Sequence, residues 1–66
     1  MKNHERALIW SAVRNALVFG HGPLTASQEA IEDDGYEWTE EHEREACEAI
    51  DELEIEMGRP PKEDTP

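Results

Sequence analysis

The stretch TEEHEREACEAIDELEIEMG, residues 39–58, predicts a long amphipathic helix and thereby decides the fold class. Its apolar side chains recur every three or four residues, the spacing of one face of an α-helix. Thr39 suits the N-cap, because its hydroxyl can accept a backbone hydrogen bond, and Gly58 suits the left-handed position after the end. We predict a helix over about residues 40–57, whose apolar stripe is formed by Ala46, Ala49, Ile50, Leu53 and Met57.

The first twenty residues predict a second long helix with an unusually wide apolar face. Asn3 could cap its start and Gly20 could take the left-handed position past its end, which gives a helix over about residues 4–19. At about 100° per residue, its apolar side chains cover roughly 200° of the helical wheel, twice the stripe of an ordinary surface helix. We therefore expect this helix to be covered on two sides.

A short helix is predicted between the two long ones. Thr25 and Gln28 fit a capping box, in which each side chain bonds to a backbone N–H near the other residue, at the start of a helix over about residues 26–33. Leu24 and Ile31 are the only large apolar residues of this segment. We expect the short helix to do little more than lie across the end of the long pair.

These elements predict an all-α protein, an antiparallel helical hairpin of two long helices (about 4–19 and 40–57) with a short intervening helix (about 26–33). Residues 1–58 would form one helical domain, and residues 59–66 a disordered, Pro-rich tail that carries acidic residues. So small a domain buries little surface, and its single cysteine cannot form an internal disulfide. A second copy that completes a helical bundle is therefore a natural supplement.

The charge of the chain points to a basic partner. Seventeen acidic residues stand against six basic ones, for a net charge of −11, so the phosphates of a nucleic acid would be repelled and direct nucleic-acid binding is not expected. The acids are concentrated after residue 28, so the charge is polarised along the chain. No apolar run is long enough to span a membrane, and we expect a cytoplasmic protein, in the host cytoplasm if the source is viral.

No motif in the sequence predicts catalysis, a metal site or a cofactor. His42 begins a pattern that resembles the two-histidine zinc motif of helical metalloproteases, but Ala46 stands where the second histidine would be. Cys47 has no base in a suitable pattern and lies among carboxylates, so we expect a packed, unreactive thiol. The sequence therefore favours a binding protein over an enzyme.

The carboxylates of the last helix are the first candidate binding surface. This helix offers almost no Glu-to-Lys pairs one turn apart, and stacked like charges cost stability, so a function that uses the negative field would explain them. The face predicts an inhibitor that mimics a nucleic acid in the basic groove of a nucleic-acid-processing complex, as counter-defence proteins of phages and mobile elements do, anti-CRISPR proteins among them. The candidate residues are Glu41, Glu45, Glu48, Asp51, Glu52 and Glu56.

The apolar excess of the first helix is the second candidate surface. If one side of this helix stays uncovered, Trp10, Val13 and Leu17 could anchor a partner or a second copy. The protein would then be a homo-oligomeric assembly or regulatory module, and its carboxylates would only keep it in solution. Charge reversals on the last helix would leave the binding of such a module unchanged.

Overall fold

Three helices make up the part of the chain that the structure, a computed structural model, describes, which is residues 1–58. They are α1 (Asn3–Phe19), α2 (Pro23–Asp33) and α3 (Glu40–Glu56). No strand is present within these 58 residues, so the predicted all-α class is confirmed. The predicted tail over residues 59–66 lies outside the described residues.

The ends of α1 follow the prediction at one terminus only. Gly20, at φ 80°, takes the left-handed conformation predicted for it, and its N–H donates to the carbonyl of Ala16. The N-cap is Lys2, not Asn3, which already lies in the helix. The N–H of Lys2 donates to the carboxylate of Glu5 at 3.2 Å, so an acid three residues on stabilises the start of α1.

Helix α2 begins three residues earlier than predicted. Gly22 is its N-cap and Pro23 its first residue, where the fixed φ of proline is helical and its missing N–H is not needed. The capping box predicted at Thr25 is therefore wrong, because Thr25 already lies within the helix. Inside α2, the Ser27 hydroxyl donates to the carbonyl of Pro23 at 2.9 Å, which satisfies a fully buried polar group.

Helix α3 begins where the sequence predicts. Thr39 is its N-cap, and the Thr39 hydroxyl accepts the N–H of His42 at 3.4 Å. Met57 is the C-cap residue, and Gly58 follows it at φ 80°. The cap residues identified from the sequence therefore give the bounds of α3 to within a residue.

The two long helices run parallel, so the predicted antiparallel pairing is wrong. The amino group of Met1 contacts Glu41 near the start of α3, whereas Arg14, far along α1, contacts Glu56 at the end of α3. Helix α2 runs in the opposite direction between them, and its 11 residues span about 16 Å. Its end lies near the start of α1, because Asp34 contacts His4 there. The chain therefore runs up, down and up again.

The core lies between all three helices. Its α1 side is formed by Ile9, Val13 and Leu17, and α2 contributes Ile31, which is fully buried. Helix α2 packs against both long helices. The contact between α2 and α1 is more extensive than the contact between α3 and α1. The expectation that it only lies across an end is wrong, because α2 is the third member of the bundle and gives α1 its second covered side. The α3 side of the core is formed by Ala46, Ala49 and Leu53.

Candidate partner-binding surface

A buried polar contact fixes the start of α3 against the start of α1. Glu5 and His42 are both buried, and the Glu5 carboxylate and the His42 Nε2 lie 2.6 Å apart. On the other side of the ring, His42 Nδ1 lies 3.0 Å from the backbone nitrogen of Thr39 and 2.8 Å from its hydroxyl. The indole of Trp38 stacks on the imidazole, with ring centroids 5.5 Å apart.

The hydrogen bonds of His42 define its tautomer. A backbone N–H can only donate, so the Nδ1 that faces the Thr39 N–H must carry a lone pair. The proton of a neutral imidazole then sits on Nε2 and is donated to the carboxylate of Glu5. This hydrogen bond lowers the pKa of Glu5 from its usual value of 4.5, and the N–H of Lys2 adds to that effect while desolvation opposes it.

The Glu5–His42 contact links the start of α1 to the start of α3. A metal site needs three or more ligands, and no group of three His, Cys, Asp or Glu side chains in residues 1–58 is arranged to hold an ion. In the sequence, His42 stands out only as the first residue of an incomplete zinc motif. The two residues lie 37 positions apart, and the only local signal was the three-residue spacing of Thr39 and His42.

Three of the six carboxylates predicted as the binding face are engaged by α1 or by the N-terminus just before it. Glu45 accepts the indole N–H of Trp10 at 2.7 Å and lies 3.4 Å from Nε of Arg6, and its side chain is only 14% exposed. Glu41 pairs with the N-terminal amino group, and Glu56 lies 3.7 Å from the guanidinium of Arg14. These three side chains therefore hold α3 onto α1.

The other three predicted carboxylates face solvent. Glu48, Asp51 and Glu52 are exposed, and none of them has an ion pair or side-chain hydrogen bond within residues 1–58. Arg44 is the only cation on α3. Ile55, 67% exposed, also lies on the surface of this helix. Glu48, Asp51 and Glu52 are hereafter called the free carboxylates.

The second predicted surface does not exist as a surface in the folded chain. Val13 is fully buried and Leu17 is 3% exposed, both in the core between the helices. Trp10 is half-buried, and its indole N–H is already bonded to Glu45. The prediction that Val13 and Leu17 anchor a partner is therefore wrong for the single chain, because both lie in the core between the helices. For Trp10, which is partly exposed, it stays a prediction.

Exposed apolar side chains occur elsewhere, at the end of α1. Val18 and Phe19 are 60% and 70% exposed. Phe19 borders a shallow groove of about 660 Å³ between α1 and α2, with Ala12 and Ala26 among its lining residues. The exposure of Phe19 depends on where α2 packs against α1, which the sequence alone does not predict.

The thiol of Cys47 is exposed rather than packed, so the predicted burial is wrong. It lies on α3 about 100° around the helix from the buried Ala46, at the edge of the core stripe, and it is the single cysteine of the chain. Its position next to Glu48 makes it a natural attachment point for a probe of the acidic surface.

The comparisons with known proteins add no relative. No protein-family model, no curated protein and no solved structure matches this chain. Within residues 1–58, none of the helices has both the length and the apolar character that a membrane crossing requires. The function is therefore argued from the geometry of the chain itself.

Proposed function

We propose that the protein inhibits a nucleic-acid-processing enzyme or complex by placing the acidic surface of α3 in its basic groove as a nucleic-acid mimic. The observation that carries the proposal is the exposure of the free carboxylates, which lack an ion-pair partner in residues 1–58. Carboxylates that meet no cation among residues 1–58 are available to the cations of another protein.

The density of negative charge on α3 supports the comparison with a nucleic acid. Its 17 residues span about 25 Å and carry nine carboxylates. Three of these carboxylates are engaged within the chain. The other six give about one negative charge per 4 Å of helix axis, close to the one charge per 3.4 Å of a single DNA strand. The remaining six are Glu40, Glu43, Glu48, Asp51, Glu52 and Glu54.

The attachment of α3 to the rest of the molecule also supports this function. A mimic must present its charges in a fixed arrangement, because ordering a mobile surface on binding costs free energy. The Glu5–His42 contact holds the start of α3, and the Trp10–Glu45 hydrogen bond holds it one turn further on. The free carboxylates therefore project from a helix that is already positioned before binding.

The proposed partner is a protein whose natural ligand is DNA or RNA. A groove lined with Lys and Arg to hold a phosphate backbone offers the positive potential that complements α3. Targets of this kind are attacked in the cytoplasm by the counter-defence inhibitors of phages and mobile elements, of which anti-CRISPR proteins are one class. The protein would act by binding alone, with no catalytic step and no cofactor.

A charge-reversal pull-down at two salt concentrations tests the proposal. We expect the tagged protein to capture a nucleic-acid-binding enzyme from lysate at low salt and to lose it at high salt. The triple variant Glu48→Lys, Asp51→Lys and Glu52→Lys should fail to capture the enzyme at either salt concentration. Competition by added DNA or RNA for the captured enzyme would place the binding site in its nucleic-acid groove.

A matched control separates the position of the charges from their number. Glu32, Asp33 and Glu37 are also exposed acids, and their reversal to Lys changes the net charge by the same amount at the α2 end of the molecule. We expect this control variant to retain the partner. Equal loss with both triple variants, or capture that is indifferent to salt, would contradict a specific role for α3.

A further inference from the structure

One face of this acidic protein is almost free of acid. After Glu5, which is buried, α1 contains no carboxylate, and its only charged side chains are Arg6 and Arg14. The acids of the described residues instead lie on α2, on α3 and in the segment between them. The exposed side of α1 is therefore the part of the surface where another highly acidic molecule meets the least repulsion.

The same side of the molecule carries apolar groups that the other described residues do not cover. Ala12 and Ala26, both partly exposed, line the groove between α1 and α2 above the buried Ala16, and small side chains of this kind let a second helix approach closely. Phe19 stands at the rim of the groove, 70% exposed. The groove thus combines a recess with a bulky apolar side chain next to it, and Glu29 is the only carboxylate that lines it.

We infer that this face is an interface between two copies of the chain, in which the exposed side of α1 packs against α1 of the second copy. A twofold interface is self-complementary, so Val18 and Phe19 of each copy can fill the groove of the other. The net charge of −11 disfavours contact between two copies through α3 or through the end of α2, where most of the carboxylates lie. This arrangement leaves both α3 surfaces facing outward.

The surface differs from the one that the sequence predicts for a dimer. Val13 and Leu17 are in the core of the single chain and cannot reach a second copy, whereas Val18 and Phe19 can. The inference does not depend on the proposed inhibitor function.

Dimerisation and binding to a basic partner also respond in opposite ways to salt. Screening weakens the attraction between α3 and a basic groove, but it also weakens the repulsion between two acidic copies.

Sedimentation equilibrium of the full chain tests the interface. We expect a reversible monomer–dimer equilibrium between low micromolar and millimolar concentration, with an association constant about tenfold larger at high salt than at low salt. Phe19→Asp places a carboxylate in the interface and should lower the association constant at least about tenfold, because a buried unpaired charge is costly. Circular dichroism should give the same helical content as the unchanged chain, since Phe19 is exposed in the monomer.

Ile55→Asp is the matched control. Ile55 is as exposed as Phe19 but lies on α3, so this variant should dimerise like the unchanged chain. A chain that stays monomeric at every concentration and salt would overturn the inference, as would a dimer that survives Phe19→Asp or fails with Ile55→Asp. A monomer that binds an apolar fluorescent dye in the groove would also overturn it, because the occupant would then be a small molecule.

Discussion

The carboxylate of Glu5 and the imidazole of His42 meet in the interior, where an unpaired polar group of either kind would be costly. Each satisfies the other at 2.6 Å, and each also bonds to backbone at a helix start, Glu5 to Lys2 and His42 to Thr39. One chain of hydrogen bonds therefore links the N-caps of α1 and α3. Two helices that are distant in the sequence are joined at the same end because their cap residues share this pair.

The lowered pKa of Glu5 predicts how the pair contributes to stability as the pH changes. A carboxyl whose pKa is lower in the folded protein stabilises the fold above its unfolded value, 4.5, and this contribution is lost as the pH falls through the folded pKa. Urea unfolding across a pH series should therefore find Glu5→Gln less stable than the unchanged chain at neutral pH. The gap should narrow below about pH 4.5.

Glu37→Gln is the control for this pH series. Glu37 is exposed and has no ion pair within residues 1–58, so its substitution should change the free energy of unfolding little at any pH. A Glu5→Gln deficit that persists unchanged into strong acid would mean that the ionised carboxylate is not what stabilises the pair.

At the level of helices, the predictions that are confirmed rest on local sequence signals, the capping residues. Thr39 marks the start of α3 and Gly20 the end of α1, as predicted, because a capping residue acts on the backbone next to it. Helix α2 is longer than predicted because it opens at Pro23, and proline is favoured in the first turn of a helix. Its single large buried side chain, Ile31, also gave too weak a periodic signal to place it in the core.

Substitution of Ile31 measures how much α2 contributes to the fold. Ile31 is fully buried between the helices, so Ile31→Ala should lower the free energy of unfolding by about 2–5 kcal/mol, a large share of the stability of a small domain. Leu24→Ala, at an exposed apolar position of the same helix, should cost far less. Similar small losses for both variants in chemical denaturation would mean that α2 only rests against the end of the long helices.

The course of the whole chain could not be predicted from the helices alone. Two long amphipathic helices favour an antiparallel hairpin only when their connection is short, and here the connection contains a helix that crosses the molecule. The parallel pairing of α1 with α3 then brings the cations of α1 to the carboxylates of α3, Arg6 to Glu45 and Arg14 to Glu56. Which carboxylates of the predicted acidic face lack a partner within residues 1–58 therefore depends on this topology.

The acidic surface should cost the molecule stability, and its partial reversal should therefore stabilise the fold. Glu52 lies one helical turn from both Glu48 and Glu56, so Glu52→Lys replaces two repulsive pairs by two attractive ones. At about 0.2–0.5 kcal/mol per pair, we expect a gain of about 1 kcal/mol in the free energy of unfolding at low salt, measured by thermal or urea denaturation, and a smaller gain at high salt.

The same substitution should weaken capture of the basic partner. A change that raises stability but lowers binding distinguishes a functional acidic surface from one that only keeps the protein in solution. A surface that served only to keep the protein in solution could exchange Glu52 for Lys and gain stability without loss. A surface that binds a positive groove cannot, because the stabilising cation removes a contact and adds a repulsion. If Glu52→Lys lowers the stability instead, the carboxylates are not destabilising one another, and their clustering no longer needs a binding partner to explain it.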